Sequence, residues 1–288
     1  MPNRIIKLLE PNAYRNFKAW ITDQDNLNPV FVASFKHPNE DSLMDMYCKV
    51  YPLEADDRSI FNEIVGYLVA DALGIPQPAH ACIAFIPTAS ILENDTVGFA
   101  NTAIGRQFSN FGVYPVFCTA KIDKSETAFE YHVRSQKLID ELVKWPYISK
   151  AIAMDNTIAH IDRHVRNLLR TGKSKYHIID NDQLVIKYTN CGWRINDLEV
   201  DKKYTNQLFD LSKQLMAPKD FNIIKSNMIN ECNTHRTAID SISNEVNVWM
   251  NNLYSANDTL DYEVFIEFLV ERADSAFAQV TSRADLLI

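Results

Sequence analysis

The residues best suited to chemistry lie together in one stretch of the chain. Asp162 is followed five residues later by Asn167, and Asp180 comes thirteen residues after Asn167, at the end of the apolar run His177-Ile178-Ile179. An acid five residues before an amide, followed by a second acid at the end of a short strand, is the arrangement that kinase-type phosphoryl transfer needs. The first acid would orient a hydroxyl and accept its proton, while the amide and the second acid would hold Mg²⁺ ions on the nucleotide phosphates. The alternative is a polar loop between two helices, with Asp180 beginning a turn.

Two charged residues upstream extend this pattern. Lys49 lies between Cys48 and Val50 in an otherwise apolar run, and Glu63 lies on the helix predicted next. In kinase folds, a lysine on a strand that pairs with a glutamate on the following helix holds the α- and β-phosphates of ATP. Taken alone, Lys49 is better explained as a charge on the solvent face of an edge strand, where it discourages aggregation. Its order and spacing relative to the Asp162 stretch favour the phosphate role.

Glycine is scarce in this chain. There are seven glycines and no G-x-G-x-x-G run, which argues against an ordinary protein kinase with a glycine-rich phosphate loop. Phe117, Cys118 and Thr119 lie where a hinge between two lobes would offer backbone groups to adenine. We therefore expect nucleotide contacts from these three residues, in addition to Lys49 and Glu63.

The elements that must position these residues fall into two groups. Before residue 130, short runs rich in Val, Ile, Phe and Tyr predict strands, namely Arg4–Leu9, Pro29–Phe35, Met46–Tyr51, His80–Ile86 and Val113–Thr119. One helix is predicted among them, over residues 54–73. From residue 134 onward, apolar spacing predicts helices over 138–145, 148–159, 204–216, 221–231, 238–253 and 262–280. The predicted fold class is therefore α+β, with a β-rich N-lobe (1–120) that contains one main helix and a mostly helical C-lobe (121–288).

Composition limits the classes of protein to which the chain can belong. A formal net charge of −8 argues against a chain that coats nucleic acid, so no direct nucleic-acid binding is expected. The five cysteines are scattered and never form a C-x-x-C pair, which suggests small buried apolar residues rather than a disulfide framework or a zinc site. No apolar run is long enough to span a bilayer, and the N-terminus lacks the apolar core of a signal peptide. We expect a cytoplasmic protein without a membrane partner.

Several short motifs, taken together, resemble the HipA-like kinase family. They lie within residues 45–185 and are Tyr47-Cys48-Lys49-Val50, Phe61-Asn62-Glu63, Leu73-Gly74-Ile75-Pro76-Gln77-Pro78, Asp162-Arg163-His164-x-x-Asn167-Leu168-Leu169 and Ile179-Asp180-Asn181. The family has a two-lobed protein-kinase-like fold and usually lacks the glycine-rich loop, which would account for the scarcity of glycine. The Asp-Arg-His-x-x-Asn run also resembles the catalytic loop of phosphoinositide kinases. Asn181 departs from the family pattern, in which His is frequent at this position.

The resemblance implies a role for each polar position. Lys49 would bind phosphate, and Glu63 would pair with it. Asp162 would be the catalytic base, and Asn167 and Asp180 would hold metal. The implied cofactors are ATP and Mg²⁺, and the implied activity is transfer of the γ-phosphate to a hydroxyl, with Ser or Thr of an unidentified protein as the expected acceptor. Because the family includes toxins and other regulators, a regulatory partner protein is possible, and the resemblance does not identify the substrate.

Two other functions stay open at this point. The chain could be a catalytically silent kinase fold used as a binding or regulatory module, although such a fold needs neither a base nor two metal ligands. It could also be a lipid or small-molecule kinase, since a basic cluster could attract a phosphorylated substrate or, as we prefer, merely solvate the loop. The cluster consists of Arg163, Arg166, Arg170, Lys173 and Lys175. His160 and His164 have no metal-ligand partner at helical spacing, so we expect them to order the loop by hydrogen bonding rather than to bind zinc.

Overall fold

The chain divides into two compact units in the computed structural model. The model describes residues 4–22, 28–38, 40–54, 56–128, 136–186, 192–253 and 259–285. Unit 1 comprises residues 1–60 and 78–123, and unit 2 comprises residues 61–77 and 124–288. Strands and helices are both abundant, which confirms the predicted α+β class. Within the described ranges, no helix is both long enough and apolar enough to cross a membrane.

Unit 1 is built on a six-stranded mixed sheet. Its strands are β1 (Lys7–Leu9), β2 (Tyr14–Trp20), β3 (Val30–Lys36), β4 (Leu43–Lys49), β5 (Ala81–Pro87) and β6 (Val113–Ala120). They lie in the order β1-β5-β6-β4-β3-β2, with β1 parallel to β5 and the other neighbours antiparallel. Each strand predicted for this region is present, with bounds that differ by a few residues.

Three elements of unit 1 were not predicted. β2 is an edge strand whose side chains are mostly exposed, so it lacks the alternation of apolar residues by which a strand is recognised. Two short helices, α2 (Thr88–Leu92) and α3 (Ala103–Ser109), lie between β5 and β6. The prediction of a single helix among the strands is therefore wrong. α3 is too short to show a helical period, although Thr102 caps it by accepting a hydrogen bond from the Gly105 N–H at 2.9 Å.

The core of unit 1 is apolar and aromatic. Phe31, Met46 and Tyr114 from the strands are buried in one hydrophobic cluster with Phe99 and Phe108 from the segment between β5 and β6. Of the five cysteines expected to be buried, Cys48, Cys82 and Cys118 are buried side by side on three adjacent strands. Cys232 is buried in unit 2, and Cys191 lies outside the described residues. Removal of apolar surface from water is therefore the main source of stability in unit 1.

Unit 2 is mostly helical. Its helices are α1 (Ser59–Ala72, which belongs to this unit from Phe61 onward), α4 (Gln136–Val143), α5 (Ile148–Thr157), α6 (Gln207–Leu215), α7 (Pro218–Glu231), α8 (His235–Leu253), α9 (Thr259–Asp274) and α10 (Ala276–Arg283). A small sheet contains β7 (Glu126–Thr127), β8 (Leu168–Gly172) and β9 (Lys175–Ile178) in that order. The helix predicted over 262–280 is two helices separated at Ser275, and β8 was not predicted.

Aromatic packing attaches α1 to unit 2. The Phe61 ring centroid lies 5.9 Å from that of Trp193, 4.6 Å from that of Tyr262 and 5.3 Å from that of Phe265. Trp193 in turn stacks on Phe265, with ring centroids 4.4 Å apart. Such aromatic pairs add to the free energy gained by burial of their area. The helix that lies among the strands in sequence therefore groups with the helical unit.

Candidate active site

Asp162 and Asn167 lie in the loop between α5 and β8. α5 ends at Thr157, and Ala159 follows with a φ of 54°, a left-handed conformation that turns the chain out of the helix. A 3-10 helix over Val165–Asn167 brings the Asn167 side chain back onto the loop, where its Nδ2 donates a hydrogen bond to the Asp162 carbonyl oxygen at 2.8 Å. Because the amide nitrogen makes this bond, the amide oxygen is the atom of Asn167 suited to a metal.

Asp180 is attached to the same loop through its backbone. It follows β9 with a φ of 64°, a conformation that Asp tolerates better than most residues. Its carbonyl oxygen accepts hydrogen bonds from His160 Nε2 at 3.0 Å and from Arg163 Nη1 at 3.4 Å. The Ile179 N–H also donates to the Asn167 carbonyl oxygen at 3.1 Å. The candidate base and the two candidate metal ligands thus belong to one hydrogen-bonded assembly.

Arg163 joins the two segments as a buried cation. Its side chain is fully buried and pairs with Asp155 of α5, with Nη2 3.2 Å from Oδ1 and Nε 3.3 Å from Oδ2. Nη2 also donates to Asn181 Oδ1 at 2.7 Å. Burial raises the pKa of the Asp155 carboxyl to about 6, although the Arg163 charge acts in the opposite direction. Arg163 lies directly against the Asp155 carboxyl group and serves as its internal counter-ion.

The basic cluster expected from the sequence does not solvate the loop as a group. Arg163 is buried, and Arg170 lies between two carboxylates, with Nε 2.9 Å from Glu141 Oε2 and Nη1 2.9 Å from Glu126 Oε1. The two lysines of the cluster are exposed. The preference for solvation is thus wrong for Arg163 and Arg170, because both neutralise carboxylates within unit 2.

His160 is a neutral side chain that orders the loop. Its Nδ1 accepts a hydrogen bond from the Asp162 N–H at 3.3 Å, so Nε2 carries the proton that is donated to the Asp180 carbonyl oxygen. Burial lowers the pKa of His160 well below its ordinary value, and the charge of Arg163 acts in the same direction. The expectation that His160 orders the loop by hydrogen bonding is confirmed by these contacts.

Three carboxylates lie close together at one end of this assembly. Glu63, Asp180 and Asp182 each offer an oxygen atom within 4.8 Å of the other two. Glu63 and Asp182 are buried, and Glu63 Oε2 accepts a hydrogen bond from the Asn181 N–H at 2.9 Å. Carboxylate oxygens are the hard ligands that Mg²⁺ and Ca²⁺ prefer, so this group could hold a divalent cation. Asp182 was not predicted as a site residue, although its position two residues after Asp180 is a signal that could have identified it.

A glycine on α1 allows the helix to approach the loop after β9. A Cβ atom on Gly66 would lie 2.3 Å from Asn181 Cβ, which is closer than two carbon atoms can pack. One turn earlier, Asn62 Nδ2 donates to the Asp182 carbonyl oxygen at 2.7 Å, and Trp193 Nε1 donates to Asn62 Oδ1 at 2.9 Å. α1 therefore packs closely against this loop through Gly66 and the Asn62 side chain. A glycine within a helical pattern is the sequence signal for such a close approach.

The other predicted site residues lie in unit 1. Lys49 is the last residue of β4, which is paired on both sides by β3 and β6, so the alternative of an edge-strand lysine is wrong. Its Nζ lies 5.5 Å from the centroid of the Tyr51 ring. Phe117, Cys118 and Thr119 lie inside β6, whose backbone pairs with β4 on one side and β5 on the other. This pairing does not support a hinge that offers backbone groups to adenine.

No protein-family model matches this chain, and no curated protein matches it. The resemblance to HipA-like kinases therefore stays an expectation drawn from the motif residues of the sequence. The motif residues that meet in unit 2 are Glu63, Asp162, Arg163, Asn167, Asp180 and Asn181.

Proposed function

We propose that the chain is a two-lobed kinase resembling the HipA-like family, with unit 1 as the nucleotide-binding lobe and unit 2 as the catalytic lobe. It would use ATP and Mg²⁺ to phosphorylate a hydroxyl group, with Ser or Thr of a protein as the acceptor. The observation that carries the proposal is the hydrogen bond from Asn167 Nδ2 to the Asp162 carbonyl oxygen at 2.8 Å. It holds the candidate base and a candidate metal ligand in one loop, as phosphoryl transfer requires.

The oxygen donors of the site suit Mg²⁺. Asn167 and Asp180 would bind the ion, and Asp182 adds a third oxygen donor near Asp180. Glu63 belongs to the same group of carboxylates, and its Oε2 accepts a hydrogen bond from a backbone N–H of the loop. Mg²⁺, when bound, would neutralise charge on the nucleotide phosphates. The expected ion pair between Glu63 and Lys49 joins residues of different units and stays a prediction.

The grouping of carboxylates in unit 2 favours a bound cation. Arg163 is paired with Asp155, so its charge is not available to neutralise other carboxylates. Those other carboxylates are Glu63, Asp162, Asp180 and Asp182. Three of them, Glu63, Asp180 and Asp182, have oxygen atoms within 4.8 Å of one another, a grouping that suits a divalent ion and, with that ion, the phosphates of a nucleotide. The Asp162 side chain is 17% exposed, so a substrate hydroxyl can reach it and transfer its proton.

Transfer of label from ATP tests the proposal directly. The purified chain is incubated with Mg²⁺ and γ-labelled ATP, alone and with a cell lysate, and the labelled species are identified. Asp162→Asn should lower transfer by on the order of 10² or more, which corresponds to about 3 kcal/mol of transition-state stabilisation, because it removes the basic carboxylate and keeps the shape. The increase in melting temperature caused by Mg²⁺-ATP should persist in this variant, since Asp162 is not expected to bind the nucleotide.

A control variant and the identity of the labelled species separate the alternatives. Asp240→Asn removes an exposed carboxylate that pairs with Arg236, and it should transfer label as fast as the wild type. If the wild type binds Mg²⁺-ATP but labels no protein, lipid or small molecule, the chain is a silent kinase fold that serves as a binding module. Label that enters only lipids or metabolites would identify a lipid or small-molecule kinase. Equal transfer by the wild type and Asp162→Asn would show that Asp162 is not the base.

A further inference from the structure

The amide of Gln207 contacts the candidate base from outside the catalytic loop. Gln207 is the first residue of α6, and its Nε2 lies 2.7 Å from Asp162 Oδ1 and 3.1 Å from the Ile161 carbonyl oxygen. An amide nitrogen carries two hydrogens, so it can donate to both acceptors at once. Gln207 lies outside every motif that points to phosphoryl transfer in this sequence.

The start of α6 is anchored to the helix that leads into the same loop. Asn206, the N-cap of α6, is fully buried, and its Oδ1 accepts a hydrogen bond from the Phe209 N–H at 3.0 Å. Its Nδ2 donates to the Ile152 carbonyl oxygen of α5 at 2.9 Å. The loop that contains Asp162 follows α5 directly in the chain. The same helix therefore positions both Gln207 and Asp162.

Side chains contact both the backbone and the carboxylate of Asp162. His160 Nδ1 accepts from its backbone N–H at 3.3 Å, and Asn167 Nδ2 donates to its carbonyl oxygen at 2.8 Å. These two bonds fix the backbone but leave the side-chain torsions undefined. The bond from Gln207 to Oδ1 favours an orientation of the carboxylate in which Oδ2 is the oxygen that Gln207 does not contact, and His164 Nε2 lies 4.0 Å from that Oδ2. A base that is held in one orientation transfers protons faster than one that rotates, because less motion must be restricted in the transition state.

We propose that Gln207 is a positioning residue that orients the Asp162 carboxylate so that Oδ2 accepts the proton of the substrate hydroxyl. This role rests on the proposed kinase function. Gln207 acts through Asp162 and does not contact the nucleotide or the reacting atoms. Its loss should therefore lower kcat and leave the KM for ATP unchanged.

Gln207→Leu tests this role, with Gln136→Leu as the matched control. Leucine is similar in size and removes both donors. Gln136 Nε2 donates to Asp140 Oδ1 at 2.8 Å on the exposed surface of α4, so the control loses the same kind of hydrogen bond away from the site. We expect the kcat of Gln207→Leu to fall about 10- to 100-fold, while its KM for ATP and its melting temperature match those of Gln136→Leu.

A double variant separates orientation of the base from general stability. In an Asp162→Ala background, Gln207→Leu should cause no further loss of transfer, because the carboxylate that Gln207 orients is already absent. A further loss in the double variant, or a wild-type kcat in Gln207→Leu, would overturn the positioning role and leave the kinase proposal standing. A wild-type chain that transfers no phosphate would overturn both.

Discussion

Units 1 and 2 bury different kinds of side chain. In the described part of unit 1, the buried polar and charged side chains are Ser34, His37, Arg58 and Thr88. Unit 2 buries many more, and its ionisable ones include Glu63, Glu141, Asp155, His160, Arg163, Asp182, His235 and Arg272. A buried charge is costly unless it is paired and hydrogen-bonded, whereas apolar side chains pack without specific partners. The fold of unit 2 therefore depends more on specific hydrogen bonds and ion pairs than the fold of unit 1 does.

Two buried cations of unit 2 contact α5, the helix that leads into the candidate catalytic loop. Arg163 pairs with Asp155 on α5, and the fully buried Arg272 donates from Nε to the Thr157 carbonyl oxygen at 3.0 Å, at the C-terminal end of the same helix. A cation at that end of a helix also interacts favourably with the helix dipole. The guanidinium of Arg272 lies 5.0 Å from the centroid of the Tyr204 ring, which adds a cation–π contact. These contacts fix the helix that leads into the candidate catalytic loop.

One fully buried side chain in each unit provides the test with the largest expected effect. Arg163→Met keeps an unbranched side chain but leaves the Asp155 carboxylate buried without its partner, so the free energy of unfolding should fall by about 3–5 kcal/mol. Met46→Leu in unit 1 conserves volume in an apolar site and should cost less than about 1.5 kcal/mol. Urea unfolding of both variants supplies the two values. Equal losses would mean that buried charge is not what distinguishes the units.

Removal of a carboxylate from each unit tests the proposed cation site. Asp180→Ala should weaken binding of Mg²⁺-ATP by about tenfold or more, and Asn167→Ala should weaken it less, because an amide is a neutral ligand. Asp45 of unit 1, whose side chain is 42% exposed, supplies the control, and Asp45→Ala should bind as the wild type does. Titration calorimetry with and without Mg²⁺ measures these affinities. Wild-type affinity in Asp180→Ala, with Mg²⁺ present, would count decisively against a metal at Asp180.

Two glycines should respond differently to the same substitution. Gly66→Ala in unit 2 places a Cβ 2.3 Å from Asn181 Cβ, so α1 and the loop must separate, and we expect a loss of about 1–3 kcal/mol in the free energy of unfolding. Gly112 in unit 1 has no described atom within 4 Å of an added Cβ and has a negative φ. Gly112→Ala should leave stability unchanged or raise it by up to about 1 kcal/mol. Thermal unfolding of both variants decides the matter, and a stabilised Gly66→Ala would show that the close approach of α1 is absent in solution.

A titratable group in unit 2 provides the test with the smallest expected effect. Burial lowers the pKa of His235 to about 4, and the charge of Lys150 acts in the same direction. The unfolded chain therefore takes up this proton at a higher pH than the folded chain, so the contribution of His235 to stability is complete above its ordinary pKa of 6.5 and is lost as the pH falls toward 4. Asp155 acts in the opposite sense, because its raised pKa favours the folded state below a pH of about 6.

The contribution of His235 is measured as a difference between two chains. His235→Asn can keep a hydrogen bond to Thr157 Oγ1, which lies 2.7 Å from His235 Nδ1, and Asn does not titrate. Because Asp155 is common to both chains, its effect cancels. The stability of the wild type relative to His235→Asn should fall by roughly 1–2 kcal/mol between pH 7 and pH 5. Parallel stability curves over this range would show that His235 is not held neutral by burial.

Much of the fold was predictable because it depends on local patterns. β5 and β6 are continuous apolar runs, and α7 and α8 show helical spacing, so neighbouring residues alone indicate each element. β2 was missed because its edge position leaves most of its side chains in water, where no apolar alternation is required. The break at Ser275 was missed because the apolar period continues through it.

Part of the candidate site was predictable for a related reason. Asp162 and Asn167 lie in one loop, and Asp180 follows a short hairpin, so their spacing in sequence already restricts their separation in space. The partner of Asp155 was not predictable from the sequence. Its place among apolar positions of a helix indicates a buried carboxylate, but nothing in the spacing identifies Arg163 as the partner.

The sequence by itself determined the α+β class, most of the helices and strands, and the three polar positions at kinase-like spacing. Only the tertiary structure decided that α1 packs with the helical unit, that Glu63 and Asp182 join Asp180, and that Arg163 is a buried counter-ion. It also decided that Gln207 contacts Asp162, across 45 residues of sequence. The physical reason is that a pattern of apolar residues reports which face of an element is buried, whereas a hydrogen bond or ion pair depends on which two faces meet.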